Sequence, residues 1–144
     1  MVSLKTVNTV QDYVKDVSGL AGLFFEAADT ERRMPGVRMG SIKSCWPDYP
    51  EEANLAFGYN QVEVRLAKAH PSAISRYDQV LELSLLLELD DRKIVWAASH
   101  SAARRQRGPA WKKISMFLNM HPVTVKRRFD RALLDLWYKM LYCS

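Results

Sequence analysis

An all-α fold is what this 144-residue sequence predicts, from three observations. Apolar residues recur every three to four positions along several segments, which is the spacing of one helix face. No segment sustains the period-two alternation of a half-buried strand. The strong breakers are few, six Gly and six Pro, and several fall between the periodic segments. The predicted architecture is a helical bundle in two parts. Residues 1–70 hold an N-terminal helix and an irregular connector, a packing or dimerisation arm. Residues 71–144 form a helix-turn-helix domain.

The first helix is expected from about Thr9 to Arg33, with Val10, Val14, Val17, Ala21, Phe24, Phe25 and Ala28 near helical spacing. Pro35 and Gly36 end it. The following stretch, VRMGSIKSCWPDYPEEAN, carries Pro47 and Pro50, so long regular structure is not expected there. Trp46 and Tyr49 point to packing. A short helix near 50–56 and a short extended piece in GYNQVEVRLAKAHPS complete the connector.

The C-terminal half is more regular. Ser72 is a candidate cap for a helix through SAISRYDQVLELSLLLEL. Ile74, Tyr77, Val80, Leu81, Leu83 or Leu85, and Leu87 form its expected buried stripe. The LDD at 89–91 breaks it, and Asp90 or Asp91 caps the next helix, with Ile94, Val95, Ala98 and Ala102 inward. RQRGPA is a loop. A short helix follows from Trp111 to Leu118. The last helix begins near Pro122 and runs to about Tyr142. Proline suits a first helical position, where its missing N–H has no intrahelical partner to lose.

Composition narrows the function. No apolar run reaches the ~20 residues of a membrane span, and the N-terminus lacks a secretory pattern, so a cytoplasmic protein is expected. Cys45 and Cys143 form no CxxC pair, and His70, His100 and His121 show no ligand spacing. No metal and no cofactor are expected. An enzyme is not expected either, since neither a Gly-rich phosphate loop nor a nucleophile elbow is present. Asp90-Asp91 reads as helix-terminal charge that complements the helix dipole.

Charge is unevenly distributed. Between His100 and Arg131 lie nine Lys/Arg (Arg104, Arg105, Arg107, Lys112, Lys113, Lys126, Arg127, Arg128, Arg131) against one acid, Asp130. The rest of the chain has 12 basic and 15 acidic residues. A basic block on a slightly acidic protein is the footprint expected of a polyanion binder.

The block coincides with a motif. Ile114 and Leu118 face one way, a break at 119–121 follows, and Val125, Phe129, Ala132, Leu133 and Leu136 form the inner stripe of the last helix. This is helix-turn-helix spacing. Asn119 stands where the turn needs a left-handed residue, a conformation Asn tolerates well among non-glycines. The outer face of the last helix holds His121, Val123, Lys126, Arg127 and Asp130. In such a motif its N-terminal end reaches base edges in the major groove. His121, Val123, Lys126 and Arg127 are therefore the expected base contacts; Lys and Arg suit guanine acceptors and Val a thymine methyl. Arg107, Lys112, Lys113, Thr124, Arg128 and Arg131 are the expected phosphate contacts, which fix register without reading sequence.

The segment LDDRKIVWAASHS…RGPAWKKISMFLNMHPVTVKRRFDRALLDL resembles the C-terminal helix-turn-helix of sigma factors, their region 4, and of related phage and bacterial regulators. The upstream EAADTERRMPGVRMGSIKSCWPDY resembles small helix-turn-helix proteins of alphaproteobacteria and their prophages, in which an arginine-proline segment precedes a Trp-Pro. Together the resemblance spans about residues 26–137. It implies a sequence-specific, double-stranded DNA-binding transcription regulator of the nucleoid, with RNA polymerase contact as a family-level implication. Three departures stand out. His121 replaces the usual small hydroxyl cap, Ser115 replaces the usual Ala, and SAARRQRG is an atypical basic insert. No polymerase-binding or promoter-melting region is evident upstream, so a complete sigma factor is not expected.

Two alternatives stay open on the sequence. One is the DNA-recognition component of a phage packaging or recombination machine. The other is a protein-interaction module on the same scaffold. The aromatic load of Phe24, Phe25, Trp46, Tyr49 and Phe57, with Met34, calls for burial within the chain or between two copies. The apolar tail at 132–143 is a second candidate interface. A homodimer is weighed alongside a monomer.

Overall fold

The computed structural model describes residues 4–34, 67–105 and 107–142. All regular structure among them is helical: α1 (Leu4–Tyr13), α2 (Val17–Arg33), α3 (Pro71–Ser84), α4 (Leu89–Arg105), α5 (Trp111–Leu118) and α6 (Pro122–Tyr142). The all-α expectation holds for these residues. The proposed helix at 50–56, the extended piece after it, and Cys45, Trp46, Tyr49, Phe57 and Cys143 lie outside the described residues.

The single helix expected over 9–33 is two. Residues 14–16 separate them, because Asp16 leaves the helical region (φ −150°, ψ 169°) and its carboxylate accepts the N–H of Gly19 at 2.7 Å. That is an N-cap, and it satisfies a donor the new helix would otherwise leave open. Gly19 matters to it, since a Cβ there would lie 2.9 Å from the capping oxygen.

Two further boundaries differ from expectation. Helix α3 starts at Pro71, not beyond Ser72, and its cap is His70, whose ring Nδ1 accepts the N–H of Ser72 at 3.3 Å. It also stops at Ser84, five residues before the apolar run ends at Leu89. The Arg92 guanidinium gathers this end: it donates to the carbonyls of Leu85 and Leu87, and to that of Ser84, which also accepts the N–H of Leu87. Leu81, expected in the buried stripe, instead lies on the outer side of α3 from Val80 and Leu83, and Leu85 just past the stop is also exposed, while Val80, Leu83 and Leu87 are buried. Helix α4 begins at Leu89, and the carbonyl of Glu88 accepts the N–H of Arg92 at 2.8 Å. Glu88 thus holds the cap position, and Asp90 and Asp91 sit in the first turn, where their charge meets the positive end of the helix dipole.

One core unites these helices. Helix α2 packs on α3, α4 and α6; α4 packs on α5 and α6; α5 lies on α6 and α1 on α3. Phe24 is fully buried with its ring edge-on to Trp96 at 5.8 Å, and Phe25 stacks on Phe129 at 6.4 Å. Phe24 and Phe25 are therefore packed within the chain, while Tyr13 is exposed. The expected inward residues Ile94, Val95, Ala98 and Ala102 are all buried. So are the hydroxyl residues Thr30, Ser84, Ser99 and Ser115, each donating to a carbonyl of its own helix. Among the described residues this leaves no buried hydroxyl unpaired, as burial demands.

Candidate functional site

The basic block falls on α5, α6 and the loop before them. Helix α5 is short because Asn119 turns left-handed at φ 51°, ψ 42°, the positive φ expected there. The N–H of Met120 closes the turn on the Ser115 carbonyl at 3.0 Å. Helix α6 then starts at Pro122. Its inner stripe is the expected one: Val125, Phe129, Ala132, Leu133 and Leu136 are buried, with Met140 continuing it. Trp111 meets Phe129 edge-on at 5.3 Å, which seats α5 on α6. Ile114 is buried beside it.

His121 has a local job. Its Nδ1 accepts the N–H of Val123 at 3.3 Å, and its carbonyl accepts the N–H of Val125 at 3.0 Å. It is the N-cap of α6, by the same His-Pro device that opens α3 at His70-Pro71. A ring nitrogen thus does the work of a capping side-chain oxygen.

The remaining predicted residues divide into two sets. Val123, Thr124, Lys126 and Arg127 are exposed, as are Lys112, Lys113 and Arg107. At about 100° per residue, Val123 and Arg127 share the stripe opposite the buried one, with Lys126 on one flank and Thr124 on the other. Arg128 is half-buried and its guanidinium lies 3.1 Å from Asp91 on α4. Arg131 is 83% exposed and sits 3.8 Å from Asp135 one turn on. These two cations therefore share their charge with carboxylates. No ion pair to a described residue engages the seven others of the block.

Two features of this surface were not read from the sequence. The Asp91–Arg128 pair depends on α4 crossing α6, which spacing alone does not reveal. Met116 and Phe117 are 72% and 81% exposed. Their exposure was legible in principle: with Trp111, Ile114 and Leu118 inward, positions 116 and 117 must point out.

A family model described as a domain of unknown function, DUF6362, matches residues 32–136. The chain belongs to the DUF6362 family. The matched span includes α3, α4, α5 and most of α6. No curated protein and no solved structure matches the chain. Among the described residues, no helix is long and apolar enough to cross a membrane, and no group of three His, Cys, Asp or Glu is placed to hold a metal ion.

Proposed function

We propose that this protein is a sequence-specific DNA-binding transcription regulator that uses α5 and α6 as a helix-turn-helix of the sigma region 4 type. The observation that carries the reading is the coincidence of a left-handed Asn119 turn with an exposed, cationic N-terminal half of α6. A short helix seated on the core and a second helix offering its first turns to solvent is the arrangement that enters a major groove. In this reading Arg127 and Lys126 meet guanine acceptors and Val123 a thymine methyl. Lys112, Lys113, Thr124 and Arg107 hold phosphates. His121, exposed at the start of α6, aims the helix by capping it with Nδ1 and completes the base-contacting set.

Fluorescence anisotropy with the chain's own upstream genomic duplex and a scrambled duplex, across a salt series, tests the reading. Tight binding to one sequence that persists as salt rises supports it. Equal binding to both, collapsing steeply with salt, marks phosphate contact alone and overturns sequence-specific regulation.

A further inference from the structure

The outer face of α5 carries something duplex DNA does not explain. Lysines 112 and 113 suit phosphates, but Met116 and Phe117 beside them present large apolar side chains to solvent. A groove of about 720 Å³ opens next to Phe117, between α4 and α5. Ala97 and Ile114 give it apolar walls; Arg104, Arg105 and Lys113 also line it. A second depression, of about 620 Å³, adjoins it through Arg105, Ala110 and Lys113, and adds Lys112 and Met116. Neither lining contains a carboxylate. No described residue forms an ion pair with Arg104, Arg105, Lys112 or Lys113. The acid that does touch the lining, Glu31, is held by His100 at 3.2 Å.

We propose that this α4–α5 groove docks an acidic, amphipathic peptide segment of a partner protein. The inference shares Lys112 and Lys113 with the DNA reading but turns on residues outside it, Phe117 and the Arg104-Arg105 pair. Charge complementarity sets the sign of the occupant: four cations without an opposing acid favour an anionic ligand. The apolar floor sets its second property. Duplex DNA offers phosphates outside and little apolar surface beyond thymine methyls, so it leaves Phe117 and Met116 in water. A peptide that alternates carboxylates with aliphatic anchors covers both. Single-stranded nucleic acid is also anionic and partly apolar, but it is held by successive aromatic platforms. Here Phe117 is the one exposed ring of the lining: His100 is stacked on Trp96, and Trp111, in the adjoining depression, is half-buried against Phe129. The stretch of α4 from Ala97 to Arg105 runs roughly 12 Å, which matches two turns of a docked helix with anchors at i, i+3/i+4 and i+7.

The test uses the full chain and a fluorescein-labelled 12-residue peptide with leucines at i, i+3, i+4 and i+7 and glutamates elsewhere. A control peptide has serines for the leucines, and a second control is a single-stranded 12-nucleotide DNA. Binding of the leucine peptide should weaken about ten-fold or more when its anchors become serine, and by a similar factor in Phe117→Ser and in the double change Arg104→Glu, Arg105→Glu. Phe117 is exposed, so Phe117→Ser should keep the wild-type melting curve and the wild-type affinity for duplex DNA. The duplex measurement separates failure of this proposal from failure of the DNA reading. Equal binding of both peptides, or no binding of either, overturns the proposal. Phe117-dependent binding of the single strand without Phe117-dependent peptide binding assigns the groove to nucleic acid instead. A Phe117-dependent dimer in sedimentation, with no peptide binding, assigns it to a second copy.

Discussion

At the scale of single residues, position on α6 decides consequence. Phe129 and Arg127 are two residues apart and should fail in opposite ways. Phe129 is buried between Phe25 and Trp111. Truncation to Ala removes both ring contacts and opens a cavity, at a cost of about 3–5 kcal/mol. The melting temperature of Phe129→Ala should fall by roughly 10–20 °C; an unchanged melt would show that the ring carries no core energy. Arg127 is exposed, on the stripe opposite the core. Arg127→Ala should leave the melt alone, cost about 1–3 kcal/mol of duplex affinity and relax base preference at one position. Lys112→Ala should weaken all duplexes alike and lower the salt slope by about one. Equal cognate affinity of both variants and wild type, by anisotropy, would remove this face from DNA contact.

At the scale of elements, legibility followed whether a signal was local. The α5–turn–α6 unit was readable because each part of it is written in a few adjacent residues: an apolar i, i+4 pair, an Asn at the left-handed position, a proline at the next first turn. The break between α1 and α2 was missed because Val10, Val14, Val17 and Ala21 keep one periodicity across it. The competing signal was Asp16, whose cap outweighs continued helix. Asp16→Ala should destabilise by about 1 kcal/mol, read as a lower chemical-denaturation midpoint. A larger loss would mean that the α1–α2 corner also anchors the core. The end of α3 was hidden for another reason, since Arg92, which gathers the carbonyls of Ser84, Leu85 and Leu87, comes from the next helix. Contact between α1 and α3 includes Tyr13, whose hydroxyl donates to Gln79 at 2.6 Å. Burial pushes the Tyr13 phenol above its ordinary value, with Glu26 adding to the rise and Arg76 opposing it, and burial raises Tyr77 as well. A raised native value favours the neutral phenol in the fold. That contribution is fully present below pH about 10 and is lost as pH climbs through the raised native values. Alkaline melts should therefore lose stability above that point, and less so in Tyr13→Phe. An identical alkaline loss in Tyr13→Phe would show that this phenol contributes nothing.

At the scale of the whole molecule, the basic block is smaller electrostatically than its residue count. Nine cations lie between residues 100 and 131, but Arg128 faces Asp91 and Arg131 faces Asp135. Glu88 and Lys139 line the same pocket, so this flank of α6 is a mixed patch that a polyanion gains little by approaching. The cations without a described carboxylate partner lie on α5, on the loop before it, on the end of α4 and on the first turns of α6. The fold thus trims a broad basic run into a bounded footprint, with α4 supplying the boundary through Asp91. Asp91→Asn tests this directly. It removes a counter-charge 3.1 Å from Arg128 and leaves the guanidinium able to swing to a phosphate. If Asp91 withholds Arg128, the variant should bind scrambled duplex more tightly, with a salt slope steeper by about one phosphate contact, ~0.9 in log–log terms. Specificity for a cognate duplex should fall correspondingly, because the added contact reads no sequence. If Asp91 instead braces Arg128 while the guanidinium already touches DNA, the slope should stay the same and affinity should drop as the side chain loosens. The direction of the affinity change, measured by anisotropy from low to moderate salt, separates a boundary residue from a brace.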